Sequence, residues 1–300
     1  MSEQTLIKPE RQRMTKTIVI TGTTSGFGKA AVERFTREGW NVVATVRKET
    51  DLNMHDGNAQ VKTLLLDVND ESGAEPFARA ALAAFGRIDA LVNNAGYYQM
   101  GPVEASSMAQ VHEQFQTNVF GLMALTKAFI PMFRQQRSGV IVNLSSISAD
   151  QGYPYTAVYA ASKAAVAAFT EGLNVELADF GVSAKAIFPG AHATRIFTKI
   201  DIASDVPADY QPGIQRFFGA QGTGSTPDVT VNAIWMAVND GDQARVRYYS
   251  GPDGEVVPRA QQMLGRDWYW REFRAAALGS PSPLWKSMVR AGDEQVEFKL

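Results

Sequence analysis

Short apolar runs alternate along the chain with longer segments in which apolar residues recur every three or four positions. The short runs are rich in β-branched residues, which is typical of buried strands, and the longer segments are typical of amphipathic helices. We predict strands near residues 16–21, 41–46, 61–66, 88–93, 138–145, 182–188 and 244–249. We predict helices near residues 27–38, 70–85, 107–135, 155–180 and 227–239.

Strands that alternate with helices predict an α/β fold, in which a doubly wound parallel β-sheet carries helices on both faces. One such domain accounts for residues 14–250, since no internal repeat interrupts the pattern. Residues 1–13 are polar and basic and are expected to form a flexible arm, and residues 251–300 form a C-terminal extension. Residues 194–226 have no clear period, so we expect a substrate loop over the active site.

The first predicted strand leads directly into a glycine-rich turn and then into a helical pattern. The turn reads Gly22, Thr23, Thr24, Ser25, Gly26, Phe27, Gly28. This order of elements places the unsatisfied N–H groups of a helix N-terminus against a pyrophosphate. Gly22 would permit the tight turn, Gly26 the approach of phosphate, and Gly28 the close contact of helix and strand. The spacing is GxxxGxG and not GxGxxG, so an ordinary glycine loop is the alternative.

Tyr159 and Lys163 lie four residues apart in an alanine-rich segment that is predicted to be helical. Positions i and i+4 share one helix face, so the lysine charge can lie beside the phenol. A nearby cation favours the phenolate, and we therefore expect Lys163 to lower the pKa of Tyr159 toward the neutral range. Because such pairs also occur on solvated helix faces, this motif alone is weak evidence.

Further motifs follow in a fixed order. They are Asn93, Asn94, Ala95 and Gly96 after an apolar run; Asn118 in a long helix; Asn143, Leu144, Ser145 and Ser146 at a strand end; and Pro189 and Gly190, with Thr194 beyond them. The ordered set TGxxxGxG, NNAG, Asn, Ser, YxxxK and PG resembles the short-chain dehydrogenase/reductase family over roughly residues 14–250. The joint match is highly specific, and it implies a Rossmann-type sheet and a nicotinamide cofactor.

The resemblance implies a catalytic set of four residues. Tyr159 would be the general acid or base, and Lys163 would lower its pKa and bind the nicotinamide ribose. Ser146 would orient the carbonyl oxygen, and Asn118 would hold a helix and a water that links Lys163 to solvent. Ser145 is the rival serine, but the thirteen-residue spacing to Tyr159 favours Ser146. The alternative is that Asn118 satisfies helix backbone and that the serines merely end a strand.

The cofactor-binding set that the resemblance implies spans several motifs. It comprises Gly22, Thr24, Ser25, Gly26, Phe27, Gly28, Arg47, Asp67, Val68, Asn94, Ala95, Gly96, Tyr159, Lys163, Pro189, Gly190 and Thr194. NAD enzymes place an acid at the end of the second strand, where this chain has Val46 and then Arg47. A guanidinium suits a 2′-phosphate, so we predict NADP(H), unless Arg47 and Lys48 only solvate the strand end. Asp67 resembles an adenine clamp, and its alternative is a helix N-cap.

Composition narrows the classes of function. The 29 Lys and Arg nearly balance the 31 Asp and Glu, so we expect neither nucleic acid nor membrane as a partner. There is no cysteine, and the three histidines are scattered, so no metal site is expected. We expect a cytoplasmic location. Family resemblance and a small-residue face suggest a homodimer or homotetramer; the face consists of Ala157, Ala160, Ala161, Ala164 and Ala168.

Aromatic residues flank the predicted mouth of the site: Tyr97, Tyr98, Tyr153, Tyr155, Phe197, Phe217 and Phe218. They suit a mainly apolar small-molecule substrate, or alternatively close the core or a subunit contact. His192 either faces nicotinamide or substrate or is a bystander. We expect the extension to fold over the 194–226 loop or over a neighbouring subunit and to help shape the substrate pocket. The alternative is a tail that packs on its own domain and has no bearing on catalysis.

The sequence therefore predicts an NADP(H)-dependent alcohol dehydrogenase or ketoreductase. One alternative is an NAD-dependent dehydrogenase of a hydroxylated substrate. The other is a non-catalytic dinucleotide-binding sensor, which the presence of Tyr159 and Lys163 disfavours.

Overall fold

The computed structural model describes residues 15–192, 201–219 and 224–287. Strands in these ranges are β1 (Thr17–Ile20), β2 (Asn41–Val46), β3 (Val61–Leu65), β4 (Ala90–Asn93), β5 (Gln99–Met100), β6 (Gly139–Leu144), β7 (Val182–Pro189), β8 (Asp201–Ile202) and β9 (Arg247–Ser250). Helices are α1 (Gly26–Arg37), α2 (Ala74–Phe85), α3 (Met108–Phe115), α4 (Gly121–Gln136), α5 (Ala157–Leu177), α6 (Gln211–Gly219), α7 (Pro227–Asn239), α8 (Pro252–Leu264) and α9 (Arg266–Ala277).

Seven strands form one parallel sheet in the order β3-β2-β1-β4-β6-β7-β9. The predicted α/β class and doubly wound sheet are thereby confirmed. The strand order reverses between β1 and β4, and ligands of such sheets bind at the carboxyl ends of the strands beside this point. The glycine turn follows β1 there, and Asn94 follows β4.

The two faces of the sheet bury separate apolar clusters because successive side chains of a strand point to opposite faces. In β1, Ile18 and Ile20 join the cluster beneath α1 and α7, whereas Val19 joins the cluster beneath α2, α4 and α5. Both clusters consist of residues that are almost fully buried. The sheet core therefore fixes the positions from which the site loops leave the strands.

The long helix predicted for residues 107–135 is interrupted by a π-helical turn, Gln116–Phe120, between α3 and α4. Gly121 follows this turn, and a Cβ there would lie 2.2 Å from the Val68 carbonyl oxygen. The close approach explains why glycine begins α4. Asn118 lies within the turn, and π-turns inside helices frequently mark functional sites.

The 194–226 segment and the extension contain more regular structure than we predicted. Residues 201–219 form β8 and α6, and β8 pairs in parallel with β5 in a small second sheet. The described part of the extension forms α8 and α9, which bury Tyr269 and Phe273. Within the described ranges, no helix has the length and apolar character that a bilayer crossing requires.

Candidate active site

The glycine turn has the geometry of an anion-binding cradle. Gly22 and Gly26 have φ values of +69° and +56°, which disfavour a side chain. A Cβ at Gly28 would lie 2.3 Å from the Gly22 carbonyl oxygen, so α1 contacts the turn too closely for any larger residue. Helix α1 has no side-chain cap from Ser25 and no acid in its first turn, which leaves its N–H groups available for a pyrophosphate.

Asn94 and Ala95 support this turn from the end of β4. The Asn94 side-chain amide donates to the carbonyl oxygens of Thr21 and Gly22 at 2.7 and 3.2 Å. The backbone N–H groups of Asn94 and Ala95 both donate to Thr21 Oγ1 at 2.9 Å. Thr45, which the sequence did not single out, accepts the Gly22 N–H with its hydroxyl at 3.1 Å. The position of Thr45 near the end of β2 could have indicated this role from the sequence.

Gly96 joins the dinucleotide side of the site to the catalytic side. A Cβ at this position would lie 2.9 Å from Asn118 Oδ1 and 3.6 Å from Lys163 Nζ. Asn118 is buried, donates to Tyr97 O at 3.1 Å and to Ser162 Oγ at 3.2 Å, and accepts the Tyr97 N–H at 3.1 Å. Asn118 thus ties the loop after β4 to α5.

The structure brings Tyr159, Lys163 and Ser146 together. The Lys163 ammonium lies 5.8 Å from the centroid of the Tyr159 ring and donates to the Leu144 carbonyl oxygen at 2.7 Å. The Ser146 hydroxyl accepts the Ser148 N–H at 3.1 Å and lies near enough to the Tyr159 phenol to lower its pKa. Ser145 is turned elsewhere, because its hydroxyl donates to the Lys163 carbonyl oxygen at 2.9 Å. Geometry therefore favours Ser146 over Ser145 as the partner of the phenol.

The electrostatics differ from the expectation that Lys163 lowers the pKa of Tyr159. Burial raises the pKa of Tyr159 to about 12, and the hydrogen bond with Ser146 acts in the opposite direction. Burial also lowers the pKa of Lys163 to about 8. Desolvation disfavours both charged forms, and the ammonium directs its hydrogen bond to Leu144 O and not to the phenol. The pKa of Tyr159 is therefore set by burial and by Ser146, and the expected lowering by Lys163 is not observed.

The residues expected at the adenosine side follow β2 and β3. Val46 is 1% exposed, and Arg47 is exposed directly after it. Asp67 accepts the Asn69 N–H at 3.0 Å, and so closes its own turn. The N-cap alternative for Asp67 is wrong, because Asp70 caps the helical turn that precedes α2. Val68, half-buried, contacts Gly121 through its carbonyl oxygen.

His192 does not face open space. Its side chain is 3% exposed, and its ring nitrogens lie 2.9 Å from Gly190 O and 2.9 Å from Thr230 Oγ1. The ring meets Phe27 edge-on at 5.1 Å between centroids.

Pro189 ends β7 directly before the turn that contains Gly190 and His192. Two further expected residues, Thr194 of the cofactor site and Phe197 of the mouth, lie outside the described residues.

Aromatic rings contact Tyr159 and, separately, Tyr155. The Tyr98 and Tyr159 ring centroids are 4.4 Å apart. Tyr155, whose φ is +64°, contacts three rings of the 208–219 region, namely Tyr210, Phe217 and Phe218, at 6.4–6.5 Å between centroids. Such a backbone conformation is uncommon for a bulky residue and often marks a functional position.

The C-terminal extension contributes to the same cluster. Phe273 of α9 meets Tyr153 edge-on at 5.5 Å, and Tyr153 also contacts Phe217 of α6. Arg216 packs against the backbone at Gly279, where a Cβ would lie 2.9 Å from its Cδ. The described part of the extension therefore packs on its own domain and contacts α6. Among the residues that the structure describes, no group of three His, Cys, Asp or Glu side chains could hold a metal ion.

Comparisons with known proteins agree with this geometry. A family model described as short chain dehydrogenase matches residues 16–204. The oxidoreductase BOA17 of Botryotinia fuckeliana is 31% identical over 88% of this chain and 100% of its own length. The structure of a short-chain dehydrogenase from Streptomyces avermitilis has a TM-score of 0.74 and 30% identity, and the match covers 89% of this chain and 100% of that one.

Two similar structures contain a dinucleotide. ElxO with NADP bound has a TM-score of 0.67 and 25% identity, with 78% of this chain and 97% of that one covered. A 3-ketoacyl-(acyl-carrier-protein) reductase from Brucella melitensis complexed with NADH has a TM-score of 0.66 and 26% identity, with 77% and 96% covered.

Proposed function

Since the chain belongs to the short-chain dehydrogenase family, we propose that it is an NADP(H)-dependent oxidoreductase that interconverts a carbonyl and an alcohol on a mainly apolar substrate. The observation that carries this proposal is the grouping of Ser146, Tyr159 and Lys163, with Lys163 close to Gly96, directly after the Ala95 that supports the glycine turn. Both halves of a hydride-transfer site, a dinucleotide cradle and a proton donor, then lie at one edge of the sheet.

The side chains of this site have separate tasks. A bound nicotinamide dinucleotide supplies or accepts the hydride. Ser146 donates a hydrogen bond to the carbonyl oxygen of the substrate and orients it, and Tyr159 donates its phenolic proton to that oxygen during reduction. In oxidation the phenolate takes the proton back from the alcohol. Asn118 connects the π-turn to the loop after β4 and to α5, and so positions Tyr159 and Lys163.

The pKa values give the protonation states in which the site would begin a reduction. A phenol whose pKa is raised to about 12 is protonated at neutral pH, which is the form that donates. Lys163, whose pKa is lowered to about 8, is still mostly protonated at pH 7. Its positive charge can then stabilise the phenolate that forms when Tyr159 gives up its proton.

Arg47 supports NADP(H) over NAD(H). The side chain after β2 is an exposed guanidinium, and the preceding Val46 offers no carboxylate to ribose hydroxyls. A guanidinium matches a 2′-phosphate in charge and in hydrogen-bond geometry.

The aromatic cluster supports an apolar substrate. Tyr98 lies against the Tyr159 ring, and Tyr155 contacts Phe217; aromatic walls of this kind bind apolar or flat groups. Ala160 of the small-residue face of α5 is buried in its own chain, whereas Ala157, Ala161 and Ala168 are exposed. The exposed part of this face supports a homodimer or homotetramer, which light scattering in solution tests directly.

A turnover screen tests the proposal. Purified protein is mixed with NADPH or NADH and a panel of apolar ketones, aldehydes and quinones, and loss of the reduced cofactor is followed by absorbance. Turnover that prefers NADPH supports the proposal. Turnover with NADH alone would favour the NAD-dependent alternative, and tight cofactor binding without turnover on any substrate would favour the sensor.

A further inference from the structure

The turn that follows β7 is fastened to three other parts of the molecule. The Gly190 N–H donates to Ser250 O, at the end of β9, at 2.9 Å. The Ala191 carbonyl oxygen accepts the Ser225 N–H at 3.0 Å, just before α7. The Ala191 N–H donates to Asp253 Oδ2 at 2.7 Å, so α8 of the C-terminal extension also holds the turn.

Asp253 occupies the space that a side chain at position 190 would need. A Cβ at Gly190 would lie 1.9 Å from Asp253 Oδ1. The carboxylate also accepts the Gly254 N–H at 3.1 Å, in the first turn of α8, where the helix dipole favours a negative charge. Burial raises the pKa of Asp253, and its bonds to the Ala191 and Gly254 N–H groups act against that rise. This carboxylate is therefore committed to holding the turn.

His192 connects the turn after β7 with the glycine turn. With Nδ1 protonated, the imidazole donates to Gly190 O, and its Nε2 accepts the Thr230 hydroxyl proton; both distances are 2.9 Å. The Thr230 hydroxyl lies 2.7 Å from Ser250 Oγ. The ring edge contact with Phe27 then joins this buried group to the cradle at the start of α1.

We infer that Asp253 and His192 are positioning residues of the dinucleotide site, and that α8 is consequently part of the cofactor-binding machinery. The inference rests on the proposed function. Phe27 lies in the glycine turn after β1, and Gly190 lies in the turn after β7. The contacts of Asp253 and His192 link these two turns, and both turns follow the carboxyl ends of strands in the parallel sheet, where a dinucleotide binds.

The experiment measures the dissociation constants of NADPH and NADH by protein fluorescence, together with the thermal unfolding midpoint without cofactor. Asp253→Ala removes the acceptor of the Ala191 N–H, whereas Asp253→Asn keeps an oxygen in that place. The matched control is Asp267→Ala, which removes an exposed carboxylate from the first turn of α9.

We expect Asp253→Ala to weaken binding of the preferred cofactor by about tenfold or more, in line with the loss of a hydrogen bond to a charged acceptor. Asp253→Asn should recover affinity to within about threefold of wild type, and Asp267→Ala should match wild type. Thr230→Val, a near-isosteric change that deprives His192 of a partner, should weaken binding severalfold and serves as the test if Asp253→Ala does not fold.

If folded Asp253→Ala binds the cofactor with wild-type affinity, the inference is overturned and the proposed function stays intact. If Asp253→Ala does not fold, wild-type affinity in Thr230→Val has the same consequence. The inference would also be overturned if Asp253→Asn lost as much cofactor affinity as Asp253→Ala at an unchanged unfolding midpoint. The hydrogen bond to the Ala191 N–H would then not be the interaction that supports cofactor binding. If the wild-type chain binds neither dinucleotide, the proposed function fails and the inference fails with it.

Discussion

Replacing Arg47 by alanine should change the cofactor preference more than it changes cofactor binding in general. The guanidinium is exposed at the end of β2, so its loss leaves no cavity, and the fold should be unaffected. A charge-assisted hydrogen bond contributes about 1.5–3 kcal/mol, which corresponds to roughly ten- to a hundredfold in affinity. Because the residue is exposed, we expect the lower half of this range for NADPH and less than about threefold for NADH.

The assay is the ratio of the NADPH and NADH dissociation constants, measured by fluorescence titration at fixed ionic strength. Lys62→Ala is the matched control, since it removes an exposed positive charge from β3 near the other end of the strand pair. Arg47→Ala is preferable to a carboxylate at Val46, because Val46 is 1% exposed and a buried charge would itself destabilise the fold. Equal losses for both cofactors, or an equal effect of Lys62→Ala, would refute Arg47 as the reader of the 2′-phosphate.

Three further changes test other parts of the site. Gly28→Ala should weaken dinucleotide binding by about a hundredfold, because its Cβ would meet the Gly22 oxygen at 2.3 Å, whereas Gly172→Ala, with open space around it, should bind normally and unfold at a slightly higher temperature. In the folded protein Lys163 loses its proton at about pH 8, and in the unfolded chain near pH 10.5, so the unfolding free energy of the wild type should rise between about pH 8 and 10. Lys163→Met should remove this rise, which denaturant titration measures. Phe273→Leu should alter KM for bulky apolar substrates severalfold at unchanged NADPH affinity, whereas Trp268→Ala, at a half-exposed side chain, should alter neither.

Local pattern was enough to predict the sheet and the Tyr159 pair, because both depend on short-range spacing. The β-branched run of β2 and the four-residue step from Tyr159 to Lys163 are readable within one element. The π-turn around Asn118 was missed, since the apolar period runs through it unbroken; the approach of the Val68 backbone to Gly121, distant in sequence, is likewise invisible in the pattern.

The pKa direction of Tyr159 and the setting of His192 could not be predicted for the same reason. The sequence places a cation beside the phenol, but only the folded structure shows how deeply both are buried and that Leu144 O takes the hydrogen bond. The partners of His192 come from α1, α7 and the β7 turn, and Asp253 reaches that turn across 62 positions. Such contacts arise from tertiary packing and leave no periodic signal.

The central claim, that Tyr159 is the proton donor in a hydride-transfer reaction, is tested most directly by Tyr159→Phe. The ring and its contact with Tyr98 stay, and only the transferable proton is removed. General acid catalysis typically contributes about 10²–10⁴-fold, so kcat for ketone reduction should fall by at least that factor while the NADPH dissociation constant stays within about threefold of wild type. Turnover of the phenylalanine variant at the wild-type rate would contradict the account.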